Sequence, residues 1–349
     1  MTDRPLISLA VIVRNEAANL PRLLGAHRGL YDEAVVVDTG STDASVRVAA
    51  SLGARVATVA WRDDFSAARN EALARCRGKW VLVLDADEHI ALADQAVLRT
   101  VVAGSAPGGI ILPQWNYADE PGLPGWRPLT PATAGEAAGA AGFIIAHQVR
   151  LFPAGPQARY EGRIHETVEP SLLIQGLSLT TVEIPVHHHG HRDQGAVQQA
   201  RLLRNSRLLR LKLADDPHDP RARYELAEQL VSERQPELAR RLLECLVAEA
   251  PGGPRAADAH RLLGRLELAA GRRASAREHG AAAVTARPDL TDCWVDLIRV
   301  RWLTGDQAGA HEALAQWSRL FPLDPRLPAL TAQVQVPAVD NGKQEAACS

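Results

Sequence analysis

Hydrophobic positions in the first ninety residues come in short, continuous runs separated by segments of helical period. Leu6–Val13 (LISLAVIV) is apolar and rich in β-branched residues, as a strand covered on both faces should be. Residues 16–26 then place Leu20, Leu23 and Leu24 at helical spacing. Ala34–Asp38 (AVVVD) predicts a second strand, and Thr42–Leu52 a helix capped by Ser41 or Thr42. Arg55–Ala60 predicts a third strand, Phe65–Cys76 a helix, and Trp80–Asp85 (WVLVLD) a fourth buried strand. This alternation implies a mostly parallel sheet with helices on both faces. Ligands of such sheets bind beyond the carboxyl ends of the strands, where Asp38 and Asp85 fall.

From 104 to 142 the pattern fails. The stretch is rich in Gly, Pro, Ala and Thr, and predicts a long flexible loop or lid. Strand-like patterns return at Phe143–Phe152 and Leu179–His187. After about 192 the chain reads as helical and repetitive. Ala239, Ala276 and Ala310 lie 37 and 34 residues apart, and Pro251, Pro288 and Pro322 repeat both spacings, as do Ala227, Gly264 and Ile298. Small residues at helix contacts with a proline at the repeat end, at a period near 34, mark tetratricopeptide repeats. The longer first interval fits an insertion around Gly253–Arg255. The expected organisation is an α/β domain over 1–191, a connecting helix over 192–216, helical repeats over 217–333 and a disordered tail over 334–349.

Composition narrows the setting. At 349 residues, 46% hydrophobic and 23% charged, the chain has ordinary globular values and room for two domains. A formal net charge of -2 gives no reason to expect nucleic acid as a partner. The four cysteines are scattered without a metal-binding pattern, consistent with reduced thiols in the cytoplasm. No segment is long and apolar enough for a transmembrane helix or flanked as a signal peptide.

Three constellations carry candidate chemistry. In Asp85-Ala86-Asp87 the two carboxylates lie two residues apart on an extended segment, so both can face one ligand. Hard oxygen ligands suit Mg²⁺ or Mn²⁺, and a strand end in an α/β sheet favours that use over plain surface acidity. Asp38-Thr39-Gly40-Ser41-Thr42-Asp43 combines a strand-ending carboxylate with a glycine turn and hydroxyls, fit for a nucleoside or for a simple helix cap. In Asp63-Asp64-Phe65-Ser66-Ala67-Ala68-Arg69-Asn70, Arg69 can offer a fixed charge to a diphosphate or make a surface ion pair. His188, at a strand end within His187-His188-His189, is a candidate to complete the metal site, while its two neighbours read as a solvated turn. Trp115, Tyr117 and Trp126 flank the long loop and suit stacking on an acceptor. Trp294, Trp302 and Trp317 read as repeat core.

Together, SLAVIVRNE at 8–16, DTGSTD at 38–43, DDFSAARNEAL at 63–73 and WVLVLDADE at 80–88 resemble glycosyltransferase family 2, of the GT-A fold, over roughly residues 6–190. The resemblance implies that Val13, Arg14, Glu16 and Asp38 hold the nucleoside. It implies that Arg69 and Asp85, with Asp64 and Ala86, serve the donor, and that Asp87 is the chief metal ligand. Arg150-Leu151-Phe152, the 162–166 segment GRIHE and His188-His189-Gly190-His191 are further similar to a subgroup in which such a domain runs into tetratricopeptide repeats. Bacterial peptide S-glycosyltransferases are among it; its usual His-x-Gly-Tyr ends here in His191.

The expected function is an inverting, metal-dependent hexosyl transfer from a nucleotide-diphosphate sugar, a UDP-sugar first, to a peptide, protein or glycan. Glu166 is the favoured base, ahead of Asp119 or Glu120, with His165 orienting diphosphate or acceptor. The repeats would bind the acceptor or build a homodimer. The alternatives are a catalytically inactive scaffold and a nucleotidyltransferase; the latter lacks its glycine-rich basic loop at Val13–Glu16.

Overall fold

The computed structural model describes residues 4–335 apart from 122, 124, 132 and 190–194. The first elements follow the apolar runs: β1 (Ile7–Val13), α1 (Leu20–Ala26), β2 (Glu33–Asp38), α2 (Ser45–Ser51), β3 (Arg55–Thr58), α3 (Phe65–Leu73) and β4 (Trp80–Val83). Then come β5 (Glu88–His89), α4 (Leu92–Gly104), β6 (Gly109–Ala118), β7 (Arg127–Pro128) and β8 (Gly142–Pro153). The α/β region closes with α5 (Glu169–Ile174), β9 (Leu179–Thr181) and β10 (Val186–His188). A single sheet has the order β3-β2-β1-β4-β8-β6-β10-β5, with β7 on β8 and β9 on β6. Neighbours β3, β2, β1 and β4 are mutually parallel, and β8 reverses direction beside β4. The parallel half therefore brings Val13, Asp38 and the turn after Val83 to one end of the sheet.

Burial explains why β1, β2 and β4 read so clearly. Leu9, Val11, Val36 and Leu82 pack with Leu20, Leu23, Leu24 and Leu98 on one face, and Ala10, Val35, Val37 and Val83 with Phe152 and Leu172 on the other. A strand covered on both faces gains from every apolar residue, not from alternate ones.

Two expectations are corrected. Helix α2 starts at Ser45 behind Ala44, without a side-chain cap from Ser41 or Thr42. The segment expected as loop from 104 onward contains β6, a ten-residue strand paired with β8 over Ile110–Ala118. The remaining connection builds its own small core of Tyr117, Ala137, Ala140 and Phe143. Gly142 is required there, since a Cβ would lie 2.3 Å from the Trp126 ring.

The chain divides into two compact units at Arg204/Asn205, within α6 (Ala196–Asp215), inside the connecting segment expected over 192–216. The second unit consists of helix pairs α7 (Pro220–Ser232) with α8 (Pro236–Glu249), α9 (Ala256–Ala269) with α10 (Arg273–Ala286), and α11 (Thr291–Leu303) with α12 (Gln307–Leu320), followed by α13 (Leu327–Gln335). The alanines that set the repeat period, Ala239, Ala276 and Ala310, are fully buried. Gly264 lies at the contact of α9 with α10, where a Cβ would meet the Ala276 carbonyl at 3.4 Å, an ordinary contact. Trp294, Trp302 and Trp317 are buried as expected, Trp317 completely. Among the described residues no helix is long and apolar enough to cross a membrane.

Candidate functional site

At the carboxyl end of β1 the chain is locked by its neighbour strand. The Val13 carbonyl accepts from the Thr39 amide and hydroxyl at 2.9 and 3.0 Å. Asn15 has the left-handed φ of 61° and crosses to the β2 loop, taking the Thr42 amide at 2.7 Å and giving its own to Ser41 Oγ. Arg14, between them, is exposed. Glu16 receives Asn19 Nδ2 at 2.8 Å, and its carboxyl is pushed up by burial, then by the charges of Asp87, Asp85 and Asp43. Two expected donor residues are largely engaged in local structure. Buried Asp38 accepts the Gly40 and Ser41 amides of its own turn, which Gly40 makes at φ 103°. Asp64 is the N-cap of α3, accepting from Ala67 N at 3.0 Å.

Arg69 is the convergence point. One helical turn into α3, its Nε donates to Glu166 at 2.5 Å and its Nη2 to Asp85 at 2.8 Å. Its guanidinium also lies 5.6 Å from the Tyr160 ring centre. Its Nη1 is buried with no hydrogen-bond partner, an expensive condition for a charged donor. The loop carrying Glu166 is docked on α3: Asn70 exchanges two hydrogen bonds with the Tyr160 backbone, and Phe65 N donates to Arg163 O. Against the cost of burial, Arg69 and then Arg150 hold the Asp85 carboxyl down to about 2. His165 is exposed, with a left-handed φ of 52°.

The acidic turn runs from Asp85 through buried Ala86 to Asp87. His188 Nε2 lies 3.2 Å from Asp87 Oδ2, while its Nδ1 meets Asn116 Oδ1 at 2.7 Å. Strand register makes this contact, since β10 places His188 opposite Asn116 and also opposite Glu88. Burial disfavours a charge on His188, but the hydrogen bond to Asp87 and that carboxylate's charge raise its pKa above the ordinary value. A carboxylate and an imidazole whose second nitrogen is oriented by an amide fit a divalent cation. Among the described residues no set of three or more acidic, histidine or cysteine ligands forms a closed cage. A cation at Asp87 and His188 would complete its shell with water and ligand oxygens.

The other histidines are not a solvated turn. His187 is buried in β10, and His189 stacks on Tyr117 at 4.8 Å. Tyr117 itself is fully buried, Trp115 stacks on Phe143 at 4.5 Å, and Trp126 donates to the Ala118 carbonyl. These aromatics therefore build the fold around the loop, and Tyr117 has no face for an acceptor. A cavity of about 640 Å³ is lined by Arg22, His89, Glu136 and His189, and Arg22 links it to the acidic turn by donating to the Asp87 carbonyl at 3.2 Å. Asn116 and Arg22 escaped the sequence reading, because nothing local in their segments marks them. His191 lies outside the described residues.

A half-parallel sheet with an acidic turn after its fourth strand, ahead of paired helices, defines a GT-A-class domain followed by tetratricopeptide-type repeats. Residues 8–98 match the family described as glycosyl transferase family 2, so the first unit carries a family 2 domain. A TPR repeat-containing protein of Synechococcus elongatus is 33% identical over 75% of this chain and 61% of its own length. An uncharacterized glycosyltransferase of Rickettsia bellii is 38% identical over 28% of this chain and 33% of its own. The prophage-derived glycosyltransferase SunS of Bacillus subtilis is 22% identical over 63% of this chain and 48% of its own. The chain thus spans less than two thirds of the length of each of these relatives.

Proposed function

We propose that this protein transfers a sugar, with inversion, from a nucleoside-diphosphate donor, a UDP-sugar first, to a peptide, protein or glycan acceptor. The observation that carries this reading is Arg69, clamped by Asp85 and Glu166 at the carboxyl ends of the parallel strands with one buried donor unsatisfied. Such a guanidinium is oriented in advance for a diphosphate oxygen, with little reorganisation at the moment of reaction. The β1 and β2 loops, from Val13 to Glu16 and at Asp38, form the nucleoside side, and Asp64 fixes the helix that carries Arg69. Asp87 and His188 would hold Mg²⁺ or Mn²⁺, whose Lewis acidity offsets charge on the departing diphosphate. The acceptor enters beside Asp87, where Arg22 and the cavity lie.

Glu166 is the proposed base. Its carboxylate takes the acceptor proton as the acceptor heteroatom attacks the anomeric carbon and the nucleoside diphosphate leaves, with His165 near the entering groups. Arg69 fixes its orientation. The resemblance of the GRIHE and His188–His191 segments to the subgroup that includes peptide S-glycosyltransferases favours a peptide side chain as acceptor class, offered by the repeats or by a homodimer built through them. We place the activity in the cytoplasm, where free Cys76, Cys245 and Cys293 stay reduced.

The test is a thermal-shift screen of UDP-, GDP- and dTDP-sugars with and without Mn²⁺. A concentration-dependent rise for one donor, larger with Mn²⁺, is expected; no rise for any donor rejects the reading. Glu166→Gln should then keep donor affinity while turnover falls by about 10²-fold or more. Unchanged turnover would remove Glu166 as the base.

A further inference from the structure

Glu88 has no place in donor or cation binding as described above, yet it is completely buried. Its Oε2 accepts the Asp85 amide at 2.8 Å, and its own amide returns to the Asp85 carbonyl at 3.1 Å. The acidic turn is therefore closed from both ends by one residue. Oε1 accepts Arg150 Nη2 from β8 at 2.5 Å and Gln114 Nε2 from β6 at 2.6 Å. Gln114 is in turn held by Gln148, whose Nε2 donates to it at 2.8 Å. Glu88 thus ties the turn to two strands that do not neighbour β5 in the sheet.

Stability alone does not account for this arrangement. The Arg150 and Glu88 side chains are 3% and 0% exposed, so both charges are desolvated almost entirely. An apolar pair of similar volume at such a place is commonly as stable or more so. Arg150 Nε is also buried without a partner, a further cost. What an apolar pair cannot supply is an acceptor for the Asp85 amide. That amide sets the path of the chain into Asp87, and with it the 3.2 Å approach of Asp87 to His188 and the 2.8 Å contact of Asp85 with Arg69.

We infer that Glu88, braced by Arg150 and Gln114, is a positioning residue that holds the Asp85–Asp87 turn in the geometry that binds the cation and the donor diphosphate. This rests on the proposed donor reading. Two charge-neutral double variants isolate the contact. Glu88→Leu with Arg150→Met removes the acceptor, whereas Glu88→Gln with Arg150→Met keeps a carbonyl oxygen for the Asp85 amide. The readout is calorimetric affinity for UDP, or for whichever of UDP, GDP and dTDP the wild type binds, with and without Mn²⁺.

In Mn²⁺ the leucine variant should bind about tenfold or more weakly, as loss of a residue that orients metal ligands does, while the glutamine variant stays within about threefold of wild type. Wild-type affinity in both variants, or an equal loss in both, overturns the inference. Should the leucine variant fail to fold, Glu88→Asp with Arg150 intact takes its place, because the shorter side chain cannot reach the amide. It carries the same expected tenfold loss, and wild-type affinity in it again overturns the inference. A wild type that binds no nucleoside diphosphate in Mn²⁺ rejects the donor reading itself, a result separate from any difference among the variants.

Discussion

Charged side chains in the first unit converge from distant elements onto one turn, whereas in the second they run along neighbouring helices. Arg69, Asp85 and Glu166 come from α3, the end of β4 and a loop almost a hundred residues later, and Arg150 meets Glu88 across the sheet. Arg261 of α9 instead pairs with Asp296 and Asp292 on α11 at 2.8 and 3.3 Å, and Arg326 with Asp292 and Asp324 at 2.7 and 2.8 Å. Among the described residues the three buried side-chain atoms without a hydrogen bond, on Arg69, His89 and Arg150, all belong to the first unit. The repeat charges have solvent or a partner within reach. A network that leaves donors unsatisfied costs stability and is explained by a ligand or by geometry; one that satisfies every member is explained by helix packing.

The sharpest way to break that contrast is Arg69→Met. It leaves Glu166, 9% exposed, beside Asp85 with no cation between them. Removing one partner of a buried network is strongly destabilising, but Asp85 is 38% exposed and partly screened. The expected loss is about 3 kcal/mol, read from denaturant unfolding followed by fluorescence, with donor affinity lost as well. A loss below about 1 kcal/mol would put Arg69 in the same class as the repeat arginines.

How much of this was legible follows from where the information sits. Strands β1, β2 and β4 advertised themselves because both faces are buried, so apolar continuity is local. The repeats did so because a fully buried alanine recurs at the repeat spacing, at Ala239, Ala276 and Ala310. Strand β6 did not: it begins at Gly109, contains Pro113 and alternates polar Gln114 and Asn116, and only its pairing with β8 and β10 makes it a strand. At the site, residue types pointed to Arg69, Asp85, Asp87 and His188, and the structure brings these together in two neighbouring contacts. Asp38 and Asp64 showed the limit of that reasoning, since a short acid after a strand or before a helix looks the same whether it awaits a ligand or caps the backbone. Nothing near His187 in sequence indicated that Tyr117, seventy residues earlier, would cover it.

That buried histidine supplies the next test. Burial, then the charge of His89, pushes the His187 pKa down to about 4, and the Tyr117 hydroxyl and the ring Nδ1 share a hydrogen bond at 2.8 Å. The folded value lies below the unfolded one, so its stabilisation is fully present above about pH 6.5 and is lost as pH falls towards 4. Between pH 7.5 and 5.5 this amounts to roughly 1.4 kcal/mol. His260 and His279 in the repeats are also pushed down by burial, so each unit holds histidines whose protonation opposes the folded state. His187→Asn should therefore flatten only the first unit's share of the slope, measured by urea unfolding at the two pH values. An unchanged slope would mean that His187 does not remain neutral in the folded state.

The smallest effect tests the opposite side of the contrast. Arg326 joins Asp324 to Asp292, and its side chain is 38% exposed. Water screens it and can rehydrate Asp292, 36% exposed, when it is gone, whereas Asp324 is 8% exposed and depends on its other donors; pairs with an exposed arginine of this kind contribute about 0–1 kcal/mol. The Asp324 carboxyl would lose the hydrogen bond that does most to hold its pKa down, but it keeps the Arg326 backbone amide and the Thr291 hydroxyl. Arg326→Ala should thus shift the repeat unit's unfolding by less than about 1 kcal/mol and leave nucleoside-diphosphate affinity unchanged. Added salt should shrink even that difference, since ionic screening acts on exposed pairs and hardly on Arg69. A loss near that of Arg69→Met would show that the ladder is a cooperative network, and satisfied hydrogen bonding alone would then no longer separate packing charges from site charges.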